Sequence, residues 1–145
     1  MAYNIQIVVD CADPHRQADW WAETLGWELE PTDQGLIDRA LAAGQASAAD
    51  TIVHNGIRVW KTGAAISPRT EADGLGRRRI LFQQVPEPKT VKDRIHLDLR
   101  LDGDDKDAVR SRLEARGAVF LHEGREGPFS WYTMADPEGN EFCLA

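Results

Sequence analysis

His96 and Asp98 are the side chains whose type and spacing most readily suggest chemistry. They sit two apart in Ile95-His96-Leu97-Asp98-Leu99-Arg100, a segment that alternates apolar and polar, so both fall on one face of a strand. An imidazole that titrates near neutrality suits ligand contact or proton abstraction, which makes His96 the candidate catalytic base. Asp98 could orient that imidazole or contact a substrate itself. The competing readings are a satisfied interior histidine and a solvated acid at a strand end. His15, His54 and His122 fall at a helix start, before a turn and at a strand end, and read as surface residues. The two cysteines, Cys11 and Cys143, form neither a disulfide framework nor a zinc cluster, which fits a reducing, cytoplasmic setting. Cys143 reads as a small packed thiol, since a nucleophile would need a lowered pKa, and Cys11 as structural beside a helix cap. Of five tryptophans, Trp21 belongs to a helix core face and Trp27 begins a strand, whereas Trp20 is less obviously core. Trp60 and Trp131 lie on strands where they could hold a flat small molecule by burial and stacking; ordinary core or dimer contact is the alternative.

The elements that must position these residues follow from local pattern. Residues 4–10 alternate, with Ile5, Ile7 and Val9 on one face and Gln6, Val8 and Asp10 on the other. Asp13-Pro14 opens a helix with Ala18, Trp21, Ala22 and Leu25 on its apolar stripe, closed by Gly26. Trp27 to Glu30 is a strand, and Asp33 caps a short helix through Leu36, Ala40 and Leu41. Asn55-Gly56 turns a hairpin between Thr51–His54 and Ile57–Lys61. Glu71 to Gly76 is a loop, Arg79 to Val85 a strand, and Pro86-Glu87-Pro88 its stop. Beyond the strand holding His96, Asp104-Asp105 caps a helix carrying Val109 and Leu113 and closed by Gly117. Strands over 119–123, 130–135 and 141–144 follow, the last two joined by the turn Asp136-Pro137-Glu138-Gly139-Asn140.

Composition narrows the function classes. With 17 basic and 24 acidic side chains in 145 residues the formal charge is −7, which disfavours nucleic acid as a partner. The one basic cluster, Arg77-Arg78-Arg79, reads as the solvated start of a strand. No apolar run exceeds four residues, so neither a membrane span nor a signal-peptide core is expected.

The element order is a repeat. Ile5-Gln6-Ile7 corresponds to Ile95-His96-Leu97 at an offset of 90, and Gly26 to Gly117 at an offset of 91. The expected fold is therefore α+β: two tandem βαβββ modules, residues 1–85 and 95–145, joined by a polar linker over 86–94. Paired modules carrying Asp10-Cys11-Ala12-Asp13-Pro14, Trp20-Trp21 with Leu25-Gly26-Trp27, Ile95-His96-Leu97-Asp98-Leu99 and Asp136-Pro137-Glu138-Gly139-Asn140 resemble the vicinal oxygen chelate superfamily. That superfamily includes glyoxalases, extradiol dioxygenases and bleomycin-resistance proteins. The resemblance spans nearly the whole chain and is nearest to the glyoxalase-like branch.

The resemblance implies that each module's mixed sheet curls into half of a cup, with its helix on the convex side. Ile5, Ile7, Val9, Ile95, Leu97 and Leu99 should then pack under the helices, and Gln6, Val8, His96 and Asp98 should face the cup. The family's metal-ligand positions carry over to Gln6, Gln83 or Gln84, His96 and Cys143, the last standing where metal-binding members have glutamate. Glu141, two residues earlier, could substitute only if the strand were displaced. Neutral amides are weak ligands, and a lone Cys143 with one histidine does not complete a tetrahedral zinc set. No cofactor is therefore expected. The reading that results is a metal-free cup of the glyoxalase and bleomycin-resistance type. It would bind a compact aromatic or oxygen-rich molecule through Gln6, Gln83, Trp60, His96, Asp98, Trp131 and Cys143. Two alternatives stand beside it: a lyase, isomerase or dioxygenase using a divalent metal or His96 as base, and a protein-interaction module with a residual cup. By resemblance the chain should form a homodimer.

Overall fold

The computed structural model describes residue 3, residues 5–69 and residues 78–145. Asn4, the loop over 71–76 and Arg77 lie outside the described residues. Two compact units are present, Met1–Pro88 and Lys89–Ala145.

In the first unit, β1 (Ile7–Cys11) leads into α1 (Pro14–Leu25) and β2 (Glu28–Leu29). Then come α2 (Gln34–Ala42), β3 (Thr51–His54), β4 (Ile57–Trp60), β5 (Gly63–Ser67) and β6 (Ile80–Gln84). The second unit runs β7 (Leu97–Leu99), α3 (Lys106–Glu114), β8 (Val119–Glu126), β9 (Phe129–Ala135) and β10 (Glu141–Leu144). The sheets are ordered β1-β6-β5-β2 and β7-β10-β9-β8, while β3 and β4 pair only with each other. In both units the first strand runs parallel to the last, and the remaining pairs are antiparallel. Each sheet is thus one βαβββ module, and the first carries α2 and the β3–β4 hairpin as an insertion between its second and third strands.

Local chemistry explains the helix starts. The Asp13 side chain accepts from the Arg16 amide at 3.1 Å, Asp33 from Leu36 at 3.0 Å and Asp105 from Ala108 at 2.7 Å. Gly26 ends α1 in the left-handed region at φ 66°, where a side chain would be strained.

Packing departs from the sequence expectation in several places. Ile5 is 80% exposed, Ile95 is 85% exposed and Ile7 is exposed as well; only Val9, Leu97 and Leu99 are half-buried. The reason is positional: β1 and β7 are sheet edges, pairing starts only at Ile7 and Leu97, and α1 lies chiefly over β5 and β6. The first core is built instead from Ala18, Trp20, Trp21, Ile66, Ile80 and Phe82. Trp20 is buried against Trp21, their rings edge to face at 5.0 Å. Strand β5 is absent from the sequence reading because Gly-Ala-Ala-Ile-Ser has small side chains and no alternation. His15 is only 6% exposed, and its Nε2 lies 2.7 Å from the Trp60 carbonyl oxygen. Its ring centroid is 5.0 Å from that of His54, which bonds Asp19 at 2.7 Å. His15 and His54 therefore fasten the inserted hairpin to α1 rather than decorating the surface.

Candidate functional site

Strand register sorts the second unit's side chains by face, since residues paired across a ladder project the same way. Leu97, Leu99, Phe142, Leu144, Met134, Tyr132 and Phe120 form one face. Beside them α3 buries Val109 and Leu113, with the Arg110 guanidinium 3.6 Å from the Phe120 ring centroid. The opposite face carries a row across all four strands: Asp98, Cys143, Thr133 and His122. His122 joins that row because the β8–β9 register shifts between Phe120 and His122. A bulge of this kind reverses facing from that point on, so sequence alternation alone could not place His122. Thr133, buried between strands, was likewise absent from the sequence reading.

Three of these side chains converge. The His96 Nδ1 lies 3.0 Å from Asp98 Oδ1 and 4.0 Å from Cys143 Sγ. Cys143 is 6% exposed and lies 3.7 Å from Thr133 Oγ1, whereas His96 and Asp98 are open to solvent. Burial pushes the Cys143 thiol up; the Thr133 hydrogen bond opposes this, and the nearby Asp98 carboxylate reinforces it. The thiol is thus protonated at neutral pH, which opposes a resting nucleophile. A carboxylate only accepts, so the Asp98 contact places the proton on Nδ1 of neutral His96 and the lone pair on Nε2.

Trp131 pairs with Gly124 across β8 and β9, on the face of Thr133 and Cys143. Its indole covers that glycine so closely that an added Cβ would stand 2.3 Å from Cε2. Gly124 is therefore the seat of Trp131. Glu141 takes no part in the row. Its carboxylate accepts from the Asp93 amide at 3.0 Å and from Lys89 Nζ at 3.2 Å, and its own amide donates to Asp93 at 3.1 Å.

Gln6, Gln83 and Trp60 belong to the first unit. Gln83 pairs with Asp10 and shares a face with Val8 and Leu81, while Gln84 lies on the α1 face and donates to the Ala12 carbonyl at 3.1 Å. Gln83 is the outward member of the pair. The Gln6 amide oxygen accepts from Arg79, whose Nε also bonds Glu30 at 2.8 Å. Arg79 is thus internally engaged rather than solvated. Trp60 sits on the β3–β4 hairpin, off the sheet that carries Gln83.

Two modules of this topology define the glyoxalase fold of the vicinal oxygen chelate superfamily. Within it, the chain belongs to the glyoxalase-like domain family, whose model matches residues 6–145. Among solved structures it is similar to the fosfomycin resistance protein FosX from Mesorhizobium loti: 11% identity, 99% of this chain and 90% of that one, TM-score 0.60. A mutant of FosX from Listeria monocytogenes, complexed with Mn(II) and 1S,2S-dihydroxypropylphosphonic acid, matches with 10% identity, 99% and 91% coverage and TM-score 0.63. TioX from Micromonospora sp. ML1 matches with 17% identity, 99% and 97% coverage and TM-score 0.52. At these identities the likeness is one of fold. No curated protein gives a significant sequence match.

The metal question can now be put to the donors. Among the described residues, His96, Asp98 and Cys143 place one ligand atom each within 4.8 Å of one another, so a metal ion is possible here. Asp98, which the sequence reading did not count as a ligand, is the third donor. The set does not suit a hard ion such as manganese, which prefers carboxylate, carbonyl and water oxygens over a thiolate. Nor is Glu141 free to replace the thiol, since its carboxylate is committed to Asp93 and Lys89.

Proposed function

We propose that the chain binds a compact aromatic or oxygen-rich small molecule, in the manner of the glyoxalase and bleomycin-resistance type, without a manganese-type ion facing the ligand. The observation that carries this reading is the second unit's helix-free face, where the Trp131 indole packs against Gly124 beside Thr133, Cys143, His96 and Asp98. A flat apolar surface with a few convergent polar groups is how small planar ligands are held and oriented. Thermal-shift screening followed by isothermal titration tests the reading. A binder is expected whose affinity falls about tenfold or more in Trp131→Ala, by loss of a buried aromatic contact. A broad screen that raises the melting temperature with no compound would remove the main support.

A second reading is favoured by one contact, the Asp98–His96 hydrogen bond that directs the imidazole lone pair onto Nε2. It makes His96 a general base in a lyase or isomerase reaction. Turnover of the bound compound that is abolished in His96→Ala, with binding retained, would establish it. We further propose a homodimer, which light scattering after size exclusion would test, and a cytoplasmic setting, supported by two buried cysteines that are not joined in a disulfide. Among the described residues no helix is long and apolar enough to cross a membrane.

A further inference from the structure

We propose that a second copy of this chain docks on β8, the two strands pairing antiparallel about a two-fold axis through Gly124. This rests on the homodimer proposal, whose surface and register it names, and it stands apart from the small-molecule reading.

The sheet order β7-β10-β9-β8 leaves β8 at the rim, where it pairs only with β9 among the described residues. A free edge presents backbone donors and acceptors that a further strand can take up. Beyond the register shift between Phe120 and His122, residues 122–126 run regularly against residues 129–133. His122, Glu123, Arg125 and Glu126 are all exposed.

Charged side chains usually blunt such an edge. Here their order makes the edge complementary to itself. Paired residues of antiparallel strands present their backbone groups alike, so a two-fold pairing is centred on a residue and not between two. Centred on Glu123, Arg125 or Glu126, the pairing sets like charges face to face; centred on His122, it leaves Glu123 opposite Leu121. Centred on Gly124, it sets Glu123 opposite the partner's Arg125 and His122 opposite the partner's Glu126, and the axis makes each pair twice. Within the strand Arg125 Nη2 already lies 2.9 Å from Glu123 Oε1, so the axis closes four alternating charges into a ring.

Gly124 also suits the axis, because the space of its missing Cβ is filled by the Trp131 indole. Adjacent strands lie about 4.7–4.9 Å apart, so pairing brings the partner's Trp131 beside this one. Each copy then contributes an indole to one shared aromatic surface.

The experiment uses the full chain, with light scattering and sedimentation over a range of concentrations. A dimer is expected whose dissociation constant rises about tenfold or more in Arg125→Glu, which sets glutamates opposite each other. Combining Arg125→Glu with Glu123→Arg exchanges the charges and should restore wild-type affinity. Both side chains are exposed, and circular dichroism checks the fold. A second variant joins His122→Cys with Glu126→Cys. Under mild oxidation it should form a covalent dimer on a non-reducing gel, and neither single substitution should, since like positions stand about 13 Å apart across this register. A monomeric wild type would overturn this proposal and the homodimer together. A dimer that Arg125→Glu leaves unchanged, that the charge exchange does not restore, or that the cysteine pair does not cross-link would overturn this interface alone.

Discussion

At the scale of single residues, the most consequential side chain is one that is missing. Gly124 has no Cβ because the Trp131 indole occupies that space, with Cε2 only 2.3 Å from where a Cβ would stand. An aromatic side chain covering an edge-strand glycine buries its own ring and the bare backbone together. Gly124→Ala should therefore displace the indole and cost about 1–3 kcal/mol through overpacking, read by urea unfolding. It should also weaken any ligand that stacks on Trp131. Gly124→Ala with wild-type stability and wild-type binding would show that the ring has another comfortable position. His96 and Asp98 were legible in the sequence because alternation fixes a shared face. Thr133 was not, since its value lies in sitting opposite Cys143 on a neighbouring strand. His122 was not either, because a register shift between Phe120 and His122 decides its face.

At the scale of elements, two polar devices hold the second unit's last hairpin. Asp136 is buried and accepts from the Glu138 amide at 2.9 Å and the Asn140 amide at 3.1 Å, which shapes the turn before β10. Gly139, at φ 91°, supplies the left-handed residue that the turn requires. Removing that acceptor leaves partly buried amides without this bond, so Asp136→Ala should cost about 1–3 kcal/mol, measured as a lowered denaturant midpoint. The second device joins residues 89–93 to β10 through Lys89, Asp93 and Glu141. Burial alone would raise the Glu141 carboxyl, but the Asp93 amide, backbone contact at Glu141 and the Lys89 ammonium outweigh it and bring it from 4.5 to about 2. A folded-state pKa below the unfolded one stabilises at higher pH. The advantage of wild type over Glu141→Gln should be complete above about pH 4.5 and shrink as pH falls toward 2. Asp93 works in the opposite sense, since burial raises its carboxyl above 3.8; its contribution is present at low pH and fades as pH rises. A difference between wild type and Glu141→Gln that does not change with pH across this window would show that Glu141 is not ionised against these partners.

At the scale of the whole molecule, each unit carries its own core around one fully buried phenylalanine, Phe82 in the first and Phe142 in the second. Phe82→Ala and Phe142→Ala should each cost about 3–5 kcal/mol, which calorimetry would register as a lowered melting temperature. A negligible effect from either would mean that its core collapses around the gap. Much of this architecture is written locally: aspartate caps, a closing Gly26, the Asn55-Gly56 hairpin and two alternating first strands identify α+β modules and their repetition. Short-range hydrogen bonding and side-chain periodicity settle such features before distant residues meet. The sequence by itself determined the repeat, the helices and the shared face of His96 and Asp98. Only the tertiary structure decided that Ile5 and Ile95 stay exposed, that Trp20 and His15 are buried, and that Gln6 is held by Arg79. It alone brought Asp98 beside Cys143 and laid Trp131 on Gly124. Those outcomes depend on strand order, register and which strands a helix covers, and residues far apart in the chain set all three.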